Sequence, residues 1–151
     1  MIAFCFLLID KLEYRKIWED FFSEAPPGTY SLYSHIKHKT NETPDWLLDR
    51  GVRTKTVPTG WCGEGLVKAF NGMLKKALKN KTNTHFCLLS GSCIPLYNYR
   101  TTYDKIAFNR RSMMSILSPG GESDYFVLLD DHDVYYADQW SILTRPVAKT
   151  L

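Results

Sequence analysis

The chain has 151 residues and a mass of 17.5 kDa, with 44% apolar and 23% charged positions, which fits one globular domain around a single core. Folding at this length removes roughly two-thirds of the unfolded chain's surface from water, enough to dispense with disulfide or metal staples, and the composition excludes disorder and collagen-like structure. Nineteen Lys and Arg against sixteen acids leave a net charge of only +3, too little for a nucleic-acid-binding stripe, so no nucleic-acid partner is expected.

Ile2 to Ile9 is apolar throughout, the pattern of a strand buried on both faces of a parallel sheet. Asp10 and Lys11 end the run far short of the ~20 residues a membrane helix needs. The run also lacks a basic flank and a small-residue cleavage site. The expectation is therefore a soluble chain without a transmembrane segment. Asp10 followed by Glu13 resembles a capping box, and Tyr14, Ile17, Trp18, Phe21 and Phe22 recur at helical spacing up to Ser23. Pro26-Pro27-Gly28 stops that helix. Thr29 to Ser34 alternates polar with apolar residues and predicts a second strand ending at His35. One β-α-β unit is complete at this point.

His35 to Thr43 reads as a polar loop, Pro44 opens a short helix to Asp49, and Gly51 to Val57 predicts a third strand before a bend at Pro58 to Trp61. Leu66, Ala69, Phe70, Met73, Leu74, Ala77 and Leu78 then form the clearest helical stripe in the chain. Lys68, Lys75, Lys76 and Lys79 on its other side read as solvated charge. His85 to Ser90 is a buried strand running into Gly91-Ser92-Cys93, and Asn98 to Phe108 suits a helix. Pro119 to Gly121 is a turn, Tyr125 to Leu129 a strand, and Gln139 to Leu143 one more, with Thr144 as N-cap of a final helix whose first turn holds Pro146. The four cysteines form no CxxC pair, so reduced thiols are expected. The pattern predicts a single α/β domain with a mainly parallel central sheet.

In open α/β sheets ligands bind beyond the carboxyl ends of the strands. Ser34 and His35, Ser90 to Cys93, and the residues after Leu129 occupy such ends. Asp130, Asp131 and Asp133 around His132 offer oxygen ligands suited to Mg²⁺ or Mn²⁺, although a solvated loop explains them equally simply. His35, His38, Cys62 and Cys93 lack the tight spacing of a zinc site. Cys93 as a nucleophile would need a nearby base, whereas the Gly91 turn suits close approach of a ligand to backbone. Trp61 and Trp140 could pack on a sugar's C–H face beside a polar group such as Gln139, with burial in the core as the alternative.

Phe86-Cys-Leu-Leu-Ser-Gly-Ser-Cys-Ile-Pro-Leu-Tyr-Asn98 resembles the "F-x-L-L-S-x-S-C-I-P-L-Y-N" segment of the core-2/I-branching β-1,6-N-acetylglucosaminyltransferase family, particularly its plant-type and microbial or viral relatives. The opening Ile-Ala-Phe-Cys-Phe-Leu strand, Tyr30-Ser-Leu-Tyr-Ser-His35 and Gln139-Trp-Ser-Ile-Leu-Thr-Arg145 follow in the family's order. The resemblance implies a GT-A-like, Rossmann-type three-layer fold, with inverting transfer of a sugar, typically N-acetylglucosamine, from a UDP-sugar donor to a glycan acceptor. It further implies a metal-independent reaction with no cofactor, in which basic side chains neutralise the leaving nucleotide. Carried over by position, Ser34, His35 and Asp49 match places that hold the uridine nucleotide. Trp61, Ser90, Gly91, Ser92 and Cys93 continue the donor pocket, and Gln139 and Trp140 lie on the acceptor side. Arg145 and Lys149, on the last helix, are candidates for the pyrophosphate.

The family's general base is a Glu in a "P-D-E"-like segment following the Q-W-x-x-L-x-R stretch, and these 151 residues contain no such segment. Three expectations follow: a piece of a longer enzyme, a compact variant recruiting Asp131, Asp133 or Glu122 as base, or a domain that binds nucleotide-sugar without turnover. Family members in animals and plants are anchored in the Golgi membrane. A chain opening directly on its first strand is expected instead in the cytoplasm, or in a virus-infected host cell.

Overall fold

The structure is a computed structural model, and it describes residues 1–60, 63–117 and 136–151. Six strands form one sheet: β1 (Ile2–Leu8), β2 (Tyr30–Ile36), β3 (Val52–Arg53), β4 (His85–Ser90), β5 (Met113–Leu117) and β6 (Tyr136–Thr144). Their order is β3-β2-β1-β4-β6-β5. The described helices are α1 (Arg15–Ser23), α2 (Asp45–Arg50), α3 (Glu64–Ala77), α4 (Tyr99–Ala107) and α5 (Arg145–Ala148).

The apolar run of β1 is explained by its central place, because helices cover it from both sides. On one face Phe4, Phe6 and Leu8 meet Trp18, Phe21 and Phe22 of α1, with Leu47 of α2 and Tyr99 and Ile106 of α4 in the same cluster. Phe6 meets Trp18 edge-on with ring centroids 5.0 Å apart, and Phe4 meets Phe22 at 5.2 Å. Such edge-to-face pairs add about 0.5–1.5 kcal/mol each beyond the area they bury. On the other face the small side chains of Ala3 and Cys5 admit Met73, Leu74 and Ala77 of α3 to close range, together with Phe86, Leu88, Leu143 and Ala148. The result is three layers, helix on sheet on helix.

The expectation of a mainly parallel sheet is corrected. β1 pairs in parallel with β2 and β4, and β2 with β3. β6, however, runs antiparallel between β4 and β5, so the sheet is mixed. Met113–Leu117 was not expected as a strand. It is a short run beside Arg110 and Arg111 with no clean alternation, and its pairing with β6, from Met113 opposite Ile142 to Leu117 opposite Tyr136, supplies what local pattern does not. The third strand is shorter than expected. Beyond Arg53, the Thr54 amide and hydroxyl both donate to the Ser34 carbonyl, and the Thr56 hydroxyl donates to that of Ile36, so side chains take over from the ladder. Helix α1 starts at Arg15 rather than at a capping box, since the Asp10 carboxylate accepts from the Lys11 amide instead. The expected turn at 119–121 and strand at 125–129 lie outside the described residues.

Candidate active site

The strand order runs outward from β1 in both directions, through β2 to β3 on one side and through β4 on the other. Between β1 and β4 the direction in which successive strands are added reverses, and in open α/β sheets ligands bind beyond the carboxyl ends of the strands at such a point. The loops at this edge are the segment after β1, the 37–44 loop after β2 and the Ser90–Cys93 turn after β4.

The turn after β4 is internally bonded. The Ser90 hydroxyl lies 3.1 Å from that of Ser92 and 3.3 Å from the Cys93 thiol, while the Ser90 amide donates to the Cys93 sulfur at 3.3 Å. The Trp18 indole N–H donates to the Cys93 carbonyl at 2.9 Å, fixing the turn to α1. Gly91 has a structural explanation that differs from ligand approach. A Cβ at this position would stand 2.7 Å from the Lys11 carbonyl oxygen, and the Gly91 carbonyl accepts from the Glu13 amide at 2.9 Å. The strap leaving β1 thus crosses directly over the turn leaving β4. The crossing brings Lys11 to the switch point, its half-exposed ammonium 3.5 Å from Glu42. An exposed pair of this kind is worth little, so the lysine is free to exchange partners.

Ser34 and His35 are both fully buried, but as neighbours in a strand they point to opposite faces. Ser34, opposite Phe6 in register, shares the face of α1 and α2, and among the described residues its hydroxyl, like the Trp46 indole N–H and the His35 Nδ1, has no hydrogen-bond partner. The Trp46 indole N–H, whose ring packs edge-on against Phe6 at 6.4 Å, is likewise buried without a partner. Two unpaired polar groups therefore flank one phenylalanine, and nothing in the sequence signalled Trp46. His35 Nε2 accepts from the Val57 amide at 3.0 Å, which puts the ring proton on Nδ1, a buried donor without a partner. Burial, with Arg53 adding like charge, holds the His35 pKa below its ordinary value and keeps the ring neutral.

Gln139 and Trp140 come to the same edge because β6 is antiparallel. Cys87 faces Ile142, and continuing that register sets Trp140 level with Leu89 and Gln139 level with Ser90. Both are exposed. Asp49 is exposed on α2 at the outer β3 side, separated from the Ser90–Cys93 turn by β2 and β1, on the order of 10–15 Å. Arg145 and Lys149 are not brought to this edge. Thr144 pairs with His85 at the start of β4, so α5 sits at the amino edge, roughly 17 Å along the strand from Ser90. There the Arg145 guanidinium donates to the carbonyls of Leu78, Asn80 and Asn83 at 2.6, 3.0 and 2.7 Å, tying off the chain that leaves α3.

Trp61, Cys62, Glu122 and Asp130 to Asp133 lie outside the described residues. Cys5, Cys87 and Cys93 are free thiols. Burial raises the pKa of Cys5, and that of Cys87 to about 12, so neither is a nucleophile at neutral pH. Among the described residues no helix is long and apolar enough to cross a membrane.

The Core-2/I-Branching enzyme model matches residues 2–150, every element just described. The chain belongs to that family. It is 26% identical over 159 residues to the glycosyltransferase BC10 of Oryza sativa subsp. japonica, a match that takes in 99% of this chain and 40% of the rice protein. The family member described here thus spans about two-fifths of that relative's length.

Proposed function

We propose that this chain forms the nucleotide-sugar half of an inverting glycosyltransferase with a GT-A-like, Rossmann-type fold, which takes a sugar, N-acetylglucosamine being the expected one, from a UDP donor to a glycan hydroxyl. The observation that carries the reading is the reversal of strand order between β1 and β4 beneath the segment that matches the family in sequence. A nucleotide seated there meets the strap after β1, the Ser90–Cys93 turn and the unpaired Ser34 hydroxyl and Trp46 indole, which are buried polar groups suited to a ligand's oxygens.

In the proposed reaction a carboxylate removes the acceptor hydroxyl's proton as that oxygen attacks the anomeric carbon. The bond from that carbon to the diphosphate breaks on the opposite side, releasing UDP and inverting the centre. The positive charge that steadies the departing diphosphate is assigned to Lys11 rather than to Arg145 or Lys149, because Lys11 lies at the switch point with an exchangeable partner. Gln139 and Trp140 border the acceptor side. Asp131 and Asp133 are the candidates for the base within this chain, and the family's own Glu is the candidate if the protein continues.

A nucleotide-sugar-binding module of the same fold without turnover is the second reading. UDP release from UDP-N-acetylglucosamine, measured with and without a β-galactoside acceptor beside binding of UDP alone, separates the two. Acceptor-dependent release supports the enzyme, binding without it supports the module, and neither contradicts both. Loss of release in EDTA would move the reaction to a divalent metal held by the Asp130–Asp133 segment.

A further inference from the structure

Next to the Ser90–Cys93 turn, on the face covered by α1 and α4, a cavity of about 530 Å³ opens between β4, β6, β5 and the 93–97 segment. Its volume falls in the range of small-molecule sites. Phe4, Trp18 and Ile106, all core residues, form its floor. Ile94, Leu96, Met114 and Trp140 stand around its mouth, each more than a third exposed. A hole whose floor is the core admits a ring or a chain end-on, whereas a protein partner would need a broad surface.

Among the described residues, the polar groups in the cavity's lining come from Tyr97, Thr102, Lys105 and Ser141, with the Cys87 and Cys93 thiols and the Trp18 and Trp140 indoles, and the Lys105 ammonium rests over the Tyr97 ring at 5.0 Å. Among the described residues that line it there is no carboxylate and no side-chain amide. A sugar ring placed inside would bury several hydroxyls with too few acceptors, at a cost for each one left unpaired. An apolar group placed there would lose nothing. The cavity also borders the proposed site, since its lining includes Cys93 of the donor-side turn and Trp140 of the acceptor side.

We infer that this cavity receives the apolar aglycone of the acceptor, an aryl or alkyl group attached to the sugar that presents the reacting hydroxyl, so that the acceptor is an amphipathic glycoside rather than a wholly polar oligosaccharide. The inference rests on the glycosyltransferase reading of the carboxyl edge and adds the class of acceptor to it. Trp140, at the mouth, bridges the two parts of such a ligand, its ring able to meet the C–H face of the sugar while the aglycone passes inward.

The test is calorimetric binding to the whole chain of octyl β-galactoside, methyl β-galactoside and octanol, each with and without saturating UDP. Octyl galactoside is expected to bind at least about tenfold more tightly than either of the others, because the chain and the sugar each contribute. Met113→Asp, whose side chain shares the cavity's face with Ile142, is expected to remove that advantage while the affinity for UDP stays unchanged, and Leu96→Ser serves as the milder variant should the first fail to fold. Equal binding of octyl and methyl galactoside overturns the inference, as does octanol binding as tightly as octyl galactoside, which would make the cavity a site for apolar molecules alone. Absence of UDP binding overturns the glycosyltransferase reading itself, a different outcome from either of these.

Discussion

Gly91, His35 and Lys11 each sit where one side chain, or the lack of one, decides something. At Gly91 the missing Cβ leaves room for the Lys11 carbonyl, which would otherwise stand 2.7 Å from it. Gly91→Ala is therefore expected to lower stability by about 1–3 kcal/mol through backbone displacement, read by thermal or urea unfolding. Since the displaced backbone is the strap over the switch point, UDP affinity should fall with it. His35 is held neutral by burial. Its folded pKa lies below the unfolded value of 6.5, so the unfolded chain takes up its proton first. The contribution of His35 is then present above pH 6.5 and lost as pH falls from there toward the lower folded value. Melting temperatures measured across that window should decline with acid, and His35→Gln, which keeps an acceptor for the Val57 amide, should flatten the decline. Lys11→Ala is expected to weaken UDP binding about tenfold, the loss of one charge-assisted contact, with little change in melting temperature because the ion pair it breaks is exposed.

At the level of elements, much of the chain was legible because its pattern and its environment agree. The unbroken apolar run of β1 and the stripe of α3 become a central strand and a helix on it, as their periods dictate. Asn98 caps α4 by accepting from the Thr101 amide at 2.9 Å, a local signal with a local cause. What was not legible depends on residues distant in sequence. β5 exists through its pairing with β6, and the antiparallel sense of β6 decides that Trp140 reaches the carboxyl edge while Arg145 goes to the amino edge. The reading of Arg145 as a pyrophosphate ligand, carried over by position on the last helix, sees its charge but not the three carbonyls that consume it. Arg145→Ala should cost about 2–3 kcal/mol by stripping donors from partly buried carbonyls. UDP affinity, measured below the transition, should be unchanged, and a loss of affinity would return Arg145 to the site.

For the whole molecule, the site is a consequence of topology. Helices on both faces bury β1, and the strand order reverses beside it, the place where open α/β sheets bind ligands at the carboxyl edge. Ser90 to Cys93, Gln139 and Trp140 come to this edge from segments about fifty residues apart in sequence, through the pairing of β6 with β4, which spacing alone does not show. Asp49 stays on the outer side and α5 at the far end. The proposed function puts the donor at the β1–β4 switch point and the acceptor on the β6 side. Titrating UDP into the isotopically labelled chain and following its backbone amide resonances tests that assignment most directly. The account predicts saturable shifts confined to residues 8–13, 34–38, 45–47 and 90–93, with Thr84, His85 and Arg145 to Lys149 unmoved. Shifts centred on α5 and the start of β4, or no shifts at millimolar UDP, would contradict it.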